Sequence, residues 1–247
     1  MTAAMFCTYC HIERATDYEH VFPKSWYPDN TPGAVQRLTV PSCRACNQRW
    51  QQIEETVGHD LLMICDAEHP DATGVVERII KGWDASRAKN ERDARHREGR
   101  ARRILKTIRW EKAHEEAPQV EAKLADGTSV RLSPAREIDS RALNALAEKF
   151  IRGLHYGEGQ GEVPLDRIVR AFIVPTEKVK MVAQATPFVL PEILVQGIAR
   201  LPVKDQLRPG LVYRWASTEA GSIWSFRLWG HVDILAACDA PRVVLAR

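Results

Sequence analysis

Apolar residues recur at Trp50, Ile53, Val57, Leu61, Leu62 and Ile64, and this spacing predicts a helix over residues 47–65, with Gly58 as its weak point. Before it, the β-branched run at 37–41 predicts a strand. The segment 22–33, with three prolines, an Asp-Asn pair and a glycine, predicts a loop. His69-Pro70-Asp71 marks a break, and 75–83 then reads as a short helix. Residues 84–116 are almost free of proline and glycine and predict a long charged helix. Alternation around Asp126-Gly127 predicts a hairpin over 120–132, after which Ser133-Pro134 reads as the start of a helix running to about residue 153. Farther on, 211–215 and 223–229 alternate as strands joined by a turn at Ala220-Gly221, and 231–237 continues as a third. The fold class is α+β without repeats. It divides into an N-terminal unit at 1–66, a helical, basic connector at 67–119 and a small α+β accessory or recognition unit at 120–247.

Charge changes this picture in one place. The chain carries a formal +3, a weak balance that neither demands nor excludes a polyanionic partner. Between Asp84 and Lys112, however, eleven basic residues face five acidic ones, a local excess of six. This segment can lie along a nucleic-acid duplex and release counterions, or it can be a solvated helix laced with i,i+4 pairs such as Glu91 with Arg95.

Of six cysteines, Cys65 and Cys238 stand alone in apolar stretches and read as buried free thiols. The other four form Cys7-Thr8-Tyr9-Cys10 and Cys43-Arg44-Ala45-Cys46. Two such knuckles complete a tetrahedral sulfur site for zinc, and with every position filled by thiolate that zinc is structural. The chain is too long and the pairs too zinc-like for a secreted disulfide framework. Met1-Thr2-Ala3-Ala4 begins no signal-peptide pattern, and no stretch approaches a membrane span, so the expected setting is the reducing cytoplasm with no membrane partner.

Between the knuckles lies Glu19-His20-Val21-Phe22-Pro23-Lys24, and Asn47 directly follows the last cysteine. Folding the strand back on the helix that the second knuckle anchors can bring Glu19, His20 and Asn47 together. A carboxylate, an imidazole and an amide supply ligands and a base for hydrolysis. No Gly-x-Ser-x-Gly occurs, and the knuckle thiolates are committed to metal.

The series Cys-x-x-Cys, Glu-His-Val-Phe-Pro-Lys and Val-Pro-Ser-Cys-x-x-Cys-Asn resembles the HNH endonucleases with a four-cysteine zinc site, over about residues 5–55. The resemblance implies a ββα-metal finger at the N-terminus and cleavage of phosphodiester bonds in nucleic acid, double-stranded DNA foremost. His20 then matches the general base. Glu19 and Asn47 match the ligands of a catalytic divalent ion, whose hard oxygen donors favour Mg2+ or Mn2+. The family's middle Asn is Leu38 here, which removes one expected support of the histidine loop; Asn30 is the alternative support. Lys24, Arg44 and Arg49 lie close to this centre and can clamp phosphates, while Arg95, Arg102 and Arg103 extend the basic surface. A bacterial setting follows, with defence against phage among the roles left open.

Two rivals use the same residues. A zinc deaminase would need His11-Ile12-Glu13 with Pro41-Ser42-Cys43, but Ser42 interrupts the pattern and the first knuckle stays unexplained. A non-catalytic zinc ribbon that binds nucleic acid or protein explains the cysteines and gives no reason for Glu19, His20 or Asn47. In the C-terminal unit Trp215, Trp224 and Trp229 read as core, and His155-Tyr156-Gly157 carries no assigned chemistry. That unit is free to recognise a target, a partner subunit or a second copy of the chain.

Overall fold

A computed structural model of the chain describes residues 5–62, 64–107, 109–112, 120–123, 129–135, 138–174, 210–218 and 221–239. Strand β1, Asp17–His20, pairs antiparallel with β2, Thr39–Ser42, with His20 opposite Thr39 and Asp17 opposite Ser42. Helix α1, Arg44–Leu62, starts directly after Cys43 and buries Trp50, Val57 and Leu61, the stripe that its sequence period announces. Helix α2, Val75–Lys81, and helix α3, Glu91–Thr107, follow.

The charged helix is shorter than its composition suggests. It stops at Thr107, and Arg109–Lys112 forms strand β3. That strand joins β4, Val120–Lys123, and β5, Ser129–Ala135, in a sheet of order β3-β5-β4. The expected hairpin is therefore present as β4 and β5, while its Asp126-Gly127 turn lies outside the described residues. Ser133-Pro134 does not begin a helix: both residues belong to β5, opposite Glu111 and Trp110. Pro134 lies beyond the last β4 pairing at Leu132, where only one edge is paired, and sheets tolerate proline at such a place. The helix instead begins after Asp139, whose carboxylate accepts from the backbone N–H of Arg141 at 2.9 Å and of Ala142 at 3.1 Å. This helix, α4, spans Ser140–Gly157.

Four strands close the fold: β6, Val169–Val174; β7, Leu211–Thr218; β8, Gly221–Leu228; and β9, Val232–Asp239. They form an antiparallel sheet of order β6-β9-β8-β7. Strand β8 ends before Trp229, which turns the chain at φ 52° together with Gly230 at φ 73°.

Helix α4 is the shared wall of the molecule. Phe150 meets Phe22, from the loop after β1, at 4.5 Å between ring centroids, and meets Phe226 of β8 at 5.3 Å. Gly153 permits the closest approach, because a Cβ there would lie 2.6 Å from Val21 Cγ2. Trp229 packs on Trp26 at 5.6 Å and donates its indole N–H to the Trp26 carbonyl at 2.9 Å. One buried core thus runs from Cys7 to Cys238 and crosses the expected boundaries near residues 66 and 120. Trp224 and Trp229 are fully buried in it, and Trp215 stacks on Trp224 at 5.1 Å. Among the described residues, no helix is long and apolar enough to cross a membrane.

Candidate functional site

The first knuckle is a tight loop closed by backbone geometry. Cys7 N–H donates to Glu13 O at 2.9 Å, His11 N–H returns to Cys7 O at 2.9 Å, and His11 takes the left-handed φ of 55°. Thr8 N–H docks the loop on β2 through Pro41 O at 2.9 Å. The second knuckle is the start of α1, where Cys46 N–H points at Cys43 Sγ at 3.5 Å. These two turns bring the sulfurs of Cys7, Cys10, Cys43 and Cys46 within 4.8 Å of one another, with Cys10 and Cys43 sulfurs 3.9 Å apart. Thiolates held at about 2.3 Å by a tetrahedral zinc stand about 3.8 Å apart, so donor type and spacing both fit. Burial opposes ionisation of Cys7, yet backbone hydrogen bonds from Cys43, Tyr9 and Cys10 outweigh it and bring the thiol to about 7. Burial pushes Cys43 and Cys46 up. Four crowded sulfurs of this kind ionise together only around a cation, and the cluster could hold a metal ion such as zinc.

No family model, curated protein or solved structure matches the chain. The chemistry therefore has to be read from these side chains.

His20 ends β1, half-buried, with Nδ1 shielded from solvent and without a hydrogen-bond partner among the described residues. Burial lowers its pKa; Glu19 opposes the shift, and Lys149, Arg37 and Lys24 add to it. The imidazole is thus neutral near pH 7 and able to take a proton. Its strand is well supported despite Leu38 standing where the resemblance places an Asn. Val21 N–H donates to Leu38 O at 3.0 Å, and the Leu38 side chain fills the space against Gly157, where a Cβ would lie 2.9 Å from it. Apolar packing on α4 replaces an amide bond. Asn30 is not the substitute, because its amide donates to Pro70 O at 3.2 Å.

Glu19 is arranged differently from an open metal ligand. Successive strand side chains point to opposite faces, so the carboxylate turns inward as the neighbouring His20 turns outward. Its Oε1 accepts from Lys149 Nζ of α4 at 2.7 Å. The same ammonium donates to the His20 carbonyl at 2.6 Å and to Glu54 Oε1 of α1. Burial pushes Glu54 up to about 7, with Lys149 opposing. Asn47 is half-buried on the first turns of α1, on the same helix face as Glu54 but about 10 Å nearer the N-terminus. A divalent ion at Glu19 would have to displace an ammonium that already holds that carboxylate, so Glu19 does not fit such an ion in this arrangement.

The cations divide by role. Lys24, Arg44 and Arg49 are exposed, Arg49 lying over the Trp50 ring at 4.7 Å. Arg37 stacks on Tyr27 at 5.1 Å. On α3 one face is structural: Arg97 pairs with Asp93 at 3.1 Å and Arg100 with Glu55 at 2.7 Å, while Ile104 is buried. The other face presents Arg92, Arg95, Arg102, Arg103 and Lys106 to solvent, with Arg95 3.5 Å from Glu91. Sequence reasoning missed Lys149, Glu54 and Arg37. Lys149 lies 130 residues from Glu19, and no local pattern announces that pairing.

Proposed function

We propose that the protein hydrolyses phosphodiester bonds of nucleic acid, with His20 as general base on a hairpin braced by a structural zinc at Cys7, Cys10, Cys43 and Cys46. The hairpin followed by α1 is then the ββα unit of an HNH-like nuclease. The observation that carries this reading is a half-buried imidazole at the end of the hairpin strand that pairs with the strand leading into the second knuckle, with burial first and then Lys149, Arg37 and Lys24 lowering its proton affinity. His20 takes a proton from water, and the resulting hydroxide oxygen bonds to phosphorus as the P–O bond to the departing sugar oxygen breaks. Solvent protonates that oxygen. Lys24, Arg37, Arg44 and Arg49 supply positive charge near the phosphate, and the exposed stripe of α3 follows the backbone farther away. DNA as substrate rests on the sequence resemblance. A Mg2+ or Mn2+ ion would stabilise charge on the phosphate; with Glu19 committed to Lys149, no step is assigned to it.

A second reading, a zinc-bearing module that binds nucleic acid without cutting it, is favoured by the α3 stripe alone. One experiment separates the two. Supercoiled plasmid, single-stranded DNA and RNA are incubated with the wild type and His20→Ala, in Mg2+, Mn2+ or EDTA. The nuclease reading expects cleavage by the wild type and a loss of at least about 100-fold in His20→Ala, with zinc content and melting temperature kept. The sign of the pH dependence follows from the lowered pKa: the base form dominates above it, so the acid limb of the rate lies below the ordinary imidazole value of about 6.5. A His20→Ala protein that cuts at the wild-type rate overturns the assignment.

A further inference from the structure

A lysine taken wholly out of water must find partners for its charge and its three protons. The Lys149 side chain has 0% exposure. Its three acceptors are the Glu19 carboxylate at 2.7 Å, the His20 main-chain carbonyl at 2.6 Å and the Glu54 carboxylate. All three belong to β1 and α1, the elements that carry the proposed centre. Two carboxylates and a carbonyl form a set of hard oxygens of the kind that elsewhere surrounds a divalent ion.

We propose that Lys149 is the positioning residue of the His20 centre and that its ammonium takes the place of a metal at Glu19, which acts as a counter-ion and not as a metal ligand. The kinetic half of this inference rests on the reading of His20 as base; the half concerning Glu19 does not. The grip on the histidine comes from two sides. Lys149 fixes the Glu19 side chain and the His20 peptide. One turn along α4, Gly153 sits against Val21. The main chain that carries the imidazole is thereby held by a helix more than a hundred residues away in sequence, which is the supporting role that outer contacts play for reactive groups.

The test uses the full-length, zinc-loaded protein. Mn2+ binding is followed by the resonance signal of the free ion in the wild type and in Glu19→Gln, a neutral isostere that still accepts from Lys149. The two should match in stoichiometry and within about twofold in affinity. In Lys149→Met, kcat on plasmid should fall at least about tenfold with KM within about twofold and zinc retained. A Mn2+ site present in the wild type and weakened more than about tenfold by Glu19→Gln would overturn the inference, as would a folded Lys149→Met protein with wild-type kcat. Should Lys149→Met fail to fold, the Mn2+ comparison still decides. Should the wild type cut no nucleic acid, the hydrolase reading fails while the Mn2+ count still judges the role of Glu19.

Discussion

Gly153→Ala sets two calculable effects against each other. In an unhindered helix interior, alanine replaces glycine with a gain of about 1 kcal/mol. Here the new methyl would sit 2.6 Å from Val21 Cγ2, 3.0 Å from Cγ1 and 3.2 Å from Cβ. Ordinary carbon contacts lie at about 3.5–4.0 Å, so the overlap is near 1 Å and falls on a short branched side chain with little freedom to retreat. Overpacking of this kind costs about 1–3 kcal/mol, and after the gain is subtracted the net expectation is a loss of up to about 2 kcal/mol. For a chain of this size that corresponds to a fall of up to about 8 °C in Tm. The assay is thermal and urea unfolding of the zinc-loaded protein, with Val21→Ala and the double variant completing a cycle. Removing the two Val21 methyl groups makes room, so Gly153→Ala should cost much less in the Val21→Ala background, giving a coupling of at least about 0.5 kcal/mol. A Gly153→Ala protein more stable than the wild type, with no coupling to Val21, would refute the close seating of α4 on the chain just after β1.

Cys43→Ser should release the metal and melt the hairpin; zinc content by mass spectrometry and protease sensitivity of residues 5–62 report it, and retention of one zinc per chain with wild-type protection would count against the sulfur site. The double variant Arg102→Ala/Arg103→Ala should bind duplex DNA more weakly with no change of sequence preference. The slope of log affinity against log salt should be shallower by about 2, and an unchanged slope would remove α3 from the binding surface.

The two cysteine pairs, the returning strand and the first helix were legible in the chain because each is written locally: thiol spacing, a β-branched run and a helical period. The tryptophan-bearing strands were legible for the same reason. Signals with two meanings misled. Ser133-Pro134 offers a helix start and equally a sheet edge, and only Asp139, six residues past Ser133, holds the two backbone N–H groups that a start requires. The basic run reads as helix by composition, yet its last part, Arg109–Lys112, pairs with β5. Leu38 looked like a missing amide until α4 was set against it. Glu19 could be recognised as a reactive-looking acid, but its partner is fixed by tertiary apposition, which no window of sequence contains.

The latch between the Trp229 indole and the Trp26 carbonyl, together with the phenyl cluster behind Val21, bears on how this molecule can be cut. A fragment ending near residue 66 would keep the thiols and the imidazole. It would also leave Val21, Phe22 and Trp26 facing water, and two acids side by side with no ammonium between them. The N-terminal segment is therefore no portable cassette: its rear wall is supplied by later parts of the chain, and any transplant has to carry that wall with it.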